Sequence, residues 1–235
     1  MNTLEEKTKE ILRRNNWEVL SNIYYKDPIT EKPREKDIIA TSLQFKERQD
    51  IAYKVRLFIE CKHFPQKTEI YPGINNIDKI KNTILSFNIP FFNIAEIEHY
   101  KKTHFYKYFK NKEIFTTKDG NDFLYKTINQ NLQSFDAFRK NNPEKGLYYL
   151  IIVYDGIKPI FQNKNYDRFL VNIETIDDVF NLPNKQCFIE ITHINELENL
   201  LNEVMEDVKE INFSIHFYYK MSKNNPKKII RNQYF

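Results

Sequence analysis

At 235 residues, with hydrophobic residues making up 41%, the chain can bury one sizeable core, as a single domain or as a domain carrying an insertion. No stretch approaches the roughly 18 consecutive apolar residues of a membrane span, and Met1 to Lys7 lacks the charged-then-apolar layout of a secretory signal, so a cytoplasmic protein with no membrane partner is expected. The net charge, 36 − 32 = +4, is too small to imply nucleic acid by itself; however, Lys220, Lys223, Lys227, Lys228 and Arg231 give residues 220–235 a charge of +5 with no acidic residue, leaving −1 for the rest.

In chain order, residues 3–15 read as an amphipathic helix with Leu4, Ile11 and Leu12 on one face. Weak alternation from Trp17 to Tyr25 predicts a strand, and Asp27 to Pro33, with two prolines, a turn or loop. Asp37 to Phe45 and Tyr53 to Lys62 predict two further strands, followed by a loop with Pro65, Pro72 and Gly73 and a helix from about Asn76 to Phe87. Residues 88–120 are expected to be an insertion, and Asn121 to Lys140 a longer helix offering Phe123, Ile128, Leu132, Phe135 and Phe138 for burial. Leu147 to Tyr154, almost unbroken in apolar residues, reads as a central strand covered on both faces. Phe161 to Ile173 is expected as an outer strand, Cys187 to Ile194 as a strand, Glu196 to about Val208 as a helix, and Ile211 to Tyr219 as a last edge strand before a basic tail over 220–235. Early antiparallel strands followed by strand–helix alternation predict an α/β domain over 1–219 with a mixed sheet between helices. Cys61 and Cys187 both lie in apolar runs and are expected as buried free thiols; no Cys/His spacing suggests zinc.

Three charged residues stand out against this background. Glu60 and Lys62 interrupt Leu57-Phe-Ile-Glu-Cys-Lys-His-Phe64, and Asp37 immediately precedes Ile38-Ile39-Ala40. Two residues apart on a strand, Glu60 and Lys62 emerge on one side, with Leu57, Ile59 and Cys61 on the other. A merely solvated face would carry polar residues at 58 and 64 as well, but these are Phe58 and Phe64. Two carboxylates and an ammonium converging in an apolar setting are the equipment of a Mg²⁺ site that hydrolyses a phosphodiester.

Asp37…Glu60-Cys-Lys62 resembles the signature of the PD-(D/E)xK, or restriction-endonuclease-like, nuclease superfamily, with Lys36 in place of the Pro that names the motif. Asp37-Ile-Ile-Ala40 and Phe58-Ile-Glu-Cys-Lys-His63 are similar to Mrr-type restriction endonucleases and archaeal Holliday-junction resolvases. Those proteins open with a helix bearing a metal-site Glu and then a Gly-aromatic pair. Here Leu4-Glu5 precedes Asn16-Trp17, with Asn16 replacing Gly. Seven residues is close to two helical turns, which puts Glu5 above Leu12 on the inward side and makes Glu6 the fallback. The resemblance implies an α-β-β-β-α-β core. It implies Asp37, Glu60 and the Cys61 backbone carbonyl as ligands of Mg²⁺ (Mn²⁺ as substitute), with Lys62 and Glu5 completing the catalytic set. Gln130 is a candidate for the glutamine that a later helix brings near the site in many relatives, and Glu35 for a substitute or supporting ligand.

The function expected from this resemblance is Mg²⁺-dependent cleavage of DNA, in restriction or phage defence. A structure-selective repair or junction nuclease, acting as a homodimer, is the alternative within the enzyme class. A non-catalytic nucleic-acid-binding module of the same fold is the alternative outside it, and a toxin-like effector whose nuclease awaits a triggering ligand or partner is a third option. Lys101, Lys102, Lys107 and Lys110, interleaved with aromatic residues between Tyr100 and Lys112, and Lys227 and Lys228 in the tail, are the candidate contacts to nucleic acid.

Overall fold

The computed structural model describes residues 3–27, 31–46, 51–73, 103–116, 123–141, 146–174 and 186–224, and at 43–46, 51–53, 139–141, 146, 173–174, 186–187 and 211–224 the backbone alone. The expected helix at 76–87, most of 88–120, Lys101, Lys102 and residues 225–235, with Lys227 and Lys228, lie outside these. The first helix, α1 (Leu4–Arg14), starts where the Thr3 side chain accepts the Glu6 amide at 3.2 Å, with Glu5 and Glu6 in the first turn and Arg13 and Arg14 in the last. These charges complement the helix dipole at both ends. It stops at Asn16, whose φ of 63° is left-handed, a conformation asparagine tolerates better than most residues. The reversal brings the Trp17 amide back to the Leu12 carbonyl at 3.0 Å and buries both side chains.

The strands β1 (Glu18–Lys26), β2 (Pro33–Lys46) and β3 (Ile51–Phe64) form an antiparallel meander. Further on come β4 (Tyr71–Pro72), α2 (His104–Asn111), β5 (Ile114–Thr116), α3 (Phe123–Asn141) and β6 (Gly146–Gly156). The chain continues as β7 (Ile160–Phe161), β8 (Lys164–Asn165), β9 (Arg168–Glu174), β10 (Gln186–His193), a single 3₁₀ turn and α4 (Leu197–Asn224). The main sheet has the order β1-β2-β3-β6-β10-β9-β5-β4. Within it β3, β6 and β10 are parallel and the meander is antiparallel, so the sheet is mixed, as expected.

Alternation along β3 and β6 supplies two cores. Val55, Leu57, Ile59, Leu147, Tyr149, Ile151 and Val153 face α1, α2 and α4, while Phe58, Phe64, Tyr148, Leu150, Ile152 and Tyr154 face α3. The β6 strand, fully covered, is the expected central strand.

Two expectations need correction. Ile211 to Tyr219 is not an edge strand; it continues α4, so Lys220 and Lys223 are helical rather than part of a tail. Ile211, Phe213, Ile215 and Phe217 satisfy i,i+4 as well as i,i+2 spacing, and nothing from Leu197 to Asn224 is Gly or Pro, so no breaker ends the helix before Pro226. Phe161 to Ile173 divides into a small hairpin, β7–β8, and β9, an inner strand between β10 and β5. From the stretch read as an insertion, α2 packs on α4 and β9, and β5 pairs with β9.

Candidate active site

The site forms where β2 and β3 part. Their ladder runs from Lys46 opposite Ile51 to Ile38 opposite Ile59 and goes no further, whereas β3 stays paired with β6 as far as Phe64 opposite Gly156. On the other side of β2, the β1 ladder skips the position of Asn22, whose φ is 55°. Asp37 is therefore the first residue of β2 beyond the β3 ladder. Its Oδ2 accepts the Cys61 amide at 2.7 Å, satisfying a donor that the departing strand has released.

Glu60 is fully buried and ionised between two lysines: Lys36 Nζ donates to Oε2 at 2.8 Å, and Lys62 Nζ lies 2.9 Å from Oε1. The Lys62 contact is off the hydrogen-bond angle, leaving Oε1 a buried carboxylate oxygen with no hydrogen-bond donor among the described residues. Burial pushes the Glu60 carboxyl up, but Lys36 and Lys62 outweigh it and hold it below the usual range. For Asp37 the balance reverses: burial and the Glu60 charge raise its carboxyl, only partly offset by the Cys61 amide, Lys62 and Lys36. Burial presses the Lys62 ammonium down, and Glu60 and Asp37 more than compensate, so it stays charged above the ordinary lysine range.

Lys36 and Asn131 are the residues sequence reading missed. Lys36 is buried, and its Nζ also donates to Asn131 Oδ1 at 3.1 Å. Asn131, on α3, donates from Nδ2 to the carbonyls of Phe58 at 3.2 Å and Ile151 at 2.9 Å, tying the helix to β3 and β6. A polar residue on the apolar stripe Ile128–Leu132–Phe135 was the available signal. The helix thus contributes an amide to the site from the residue after the one expected: Gln130 supplies only its backbone carbonyl, to the Tyr25 hydroxyl at 3.4 Å. Tyr25 sits close enough to Glu60 and Asp37 that burial and those charges push its hydroxyl up to about 12.

The other expected residues are placed as follows. Glu5 pairs with Lys9 Nζ at 2.6 Å, and Glu6, exposed, pairs with the same ammonium at 2.9 Å. One turn along from Glu5, Thr8 accepts the Cys61 thiol at 3.6 Å, so this face of α1 meets the site strand, although Glu5 itself turns to Lys9. Burial pushes the Cys61 thiol up to about 12, and the cysteine is free. Glu35 accepts from Asn22 Nδ2. His63 is exposed and paired with Asp155 at 2.7 Å. In the basic aromatic stretch, Phe105 and Tyr108 are core residues and Lys107 pairs with Glu203 at 3.4 Å; Lys110 is exposed. The interleaved rings at 105 and 108 are thus turned inward and present no stacking surface.

A second buried polar cluster lies under α2. His104 donates from Nδ1 to Asp207 and from Nε2 to Glu190 at 2.9 Å; Glu190 also accepts from Tyr108 and, at 2.9 Å, from Arg168, which bridges to Glu203 at 2.7 Å. Burial lowers the His104 imidazolium, but Asp207 and Glu190 raise it further, to about 10. With both ring nitrogens engaged by buried carboxylates, His104 braces α2 against β10 and α4.

Among the described residues no group of three or more His, Cys, Asp or Glu side chains converges as a metal site. Asp37 and Glu60 Oε1, the latter 2.9 Å from the Lys62 ammonium, are the oxygens that a hard cation completing its shell with water could take. Set against models of known protein families, curated proteins and solved structures, the chain matches none of them. No described helix is long and apolar enough to cross a membrane.

Proposed function

We propose that the chain is a Mg²⁺-dependent endonuclease of the PD-(D/E)xK class, hydrolysing DNA phosphodiesters. The observation that carries this reading is the convergence of Asp37, Glu60 and Lys62 at the opening between β2 and β3. The succession α1-β1-β2-β3, then α3-β6 after the interposed β4, α2 and β5, with β2 antiparallel and β6 parallel to β3, supports it. Asp37 and Glu60 Oε1 would hold the ion, with the Cys61 carbonyl as a further oxygen. When bound, Mg²⁺ supplies a water of lowered pKa and offsets charge on the scissile phosphate. Lys62, the more exposed of the two site lysines, orients the attacking water and faces the phosphate with a charge that Glu60 and Asp37 maintain. Lys36 and Asn131 fix the Glu60 carboxylate.

A second reading, a nucleic-acid-binding module without catalysis, is favoured by one observation: both lysines already engage the two oxygens of Glu60, the carboxylate that would hold the metal. Incubating supercoiled plasmid with the protein and Mg²⁺, Mn²⁺ or EDTA separates the two. A nuclease nicks or linearises DNA with metal, and Lys62→Ala loses at least about a hundredfold of the activity. A binding module retains DNA equally with Mg²⁺ or EDTA and leaves it intact, an outcome that ends the nuclease reading for duplex DNA.

A further inference from the structure

We infer that Lys36 is a resident cation of the site, which limits it to one divalent ion and weakens its hold on that ion. The inference rests on the metal-dependent reading above. Lys36 stands where the family signature has a residue without charge, and its ammonium is shared between Glu60 Oε2 and Asn131 Oδ1, with Asn131 pinned in turn to carbonyls of both β3 and β6. Moving Lys36 away would leave buried polar groups of Glu60 and Asn131 without partners, so the ammonium is fixed. Lys62 is different: its side chain is 25% exposed, against 2% for Lys36, and its contact with Oε1 lacks hydrogen-bond geometry. Lys62 is therefore the lysine that can leave Glu60, which frees Oε1 for a ligand and an ammonium for substrate.

Charge counting sets the stoichiometry. Asp37, Glu60, Lys36 and Lys62 sum to zero, so one divalent ion takes the site to +2 and a second would take it to +4 in largely buried surroundings. A site with the same carboxylates and no Lys36 would start at −1.

Mn²⁺ titration of the full chain, read by the loss of the free-ion paramagnetic resonance signal, tests this. Wild type is expected to take one ion per chain, abolished in Asp37→Asn. Lys36→Gln, which retains hydrogen bonding to Glu60 and Asn131 without the charge, is expected to bind the first ion about tenfold more tightly or to admit a second. Two ions per wild-type chain, or unchanged affinity and stoichiometry in a Lys36→Gln variant that melts cooperatively, would overturn the role of Lys36 and leave the metal site standing. Absence of binding in both wild type and variant would overturn the metal-dependent reading and this inference together. Should Lys36→Gln fail to fold, the wild-type stoichiometry of one against two still decides.

Discussion

Glu60 shows how a residue that costs folding energy is made tolerable. A carboxylate with no solvent exposure is unfavourable in an apolar interior unless it is paired, and here two ammonium groups do so. Removing one partner of such a pair leaves a buried charge uncompensated, so Lys36→Ala is predicted to destabilise the fold by about 3–5 kcal/mol. Lys62→Ala, at a partly exposed position, should cost well under half of that, and urea denaturation of the two variants side by side checks the ranking. Equal destabilisation would mean that both lysines are structural. Asn131→Ala strips hydrogen bonds from two strand carbonyls and from Lys36, with an expected loss of about 1–3 kcal/mol. Glu60-x-Lys62 and Asp37 were legible because charges stand out in an apolar run. Lys36 was read only as a departure from a motif, since nothing local shows that its side chain ends on a carboxylate 24 residues away.

At the scale of elements, the site depends on where strands stop pairing. The β2–β3 ladder ends at Ile38, leaving Asp37 just outside it, and β3 continues against β6 until Gly156. Gly156 adopts a φ of +90°, and a Cβ there would lie 2.5 Å from the Phe64 carbonyl oxygen. Gly156→Ala is therefore predicted to cost about 1–3 kcal/mol and to loosen the end of the site strand. Thermal melting together with hydrogen exchange at the Ile157 amide, which donates to the Phe64 carbonyl at 2.9 Å, would show it; a melting point within a degree of wild type would rule it out. The first helix was legible from its period, and β3 and β6 from apolar runs. The end of α4 was not, because isoleucine and phenylalanine at every second position fit a strand and a helix surface equally well until a helix partner is known.

For the whole molecule, the buried brace joining α2, β9, β10 and α4 predicts a dependence of stability on pH. His104 titrates near 10 in the folded chain against an ordinary 6.5, so its stabilisation is complete below pH 6.5 and is lost as the pH rises towards 10. Glu190, lowered to about 2 against 4.5 because His104 and Arg168 outweigh its burial, contributes above pH 4.5 and loses its contribution as the pH falls towards 2. The two share one interaction and do not add, but together they place a plateau between about pH 4.5 and 6.5. Melting temperatures measured from pH 3 to 10 should decline on both sides for wild type, with a flatter alkaline limb in His104→Asn. A wild-type melting temperature unchanged between pH 6.5 and 10 would show that the brace does not carry this charge.

What the amino-acid sequence determined by itself was local: helix and strand periods, their order as a mixed sheet between helices, and the three charges set in apolar strands. These follow from side-chain spacing on single elements. What only the tertiary structure decided was which charges meet. Lys36 and Asn131 belong to the site, Glu5 turns to Lys9, and the aromatic residues at 105 and 108 fill the core under α2. Their histidine neighbour, unassigned from sequence, is the centre of the brace. The physical reason is that pairing between residues 24, 95 or 103 positions apart depends on strand register and helix placement, and neither is encoded in the pattern of any one segment.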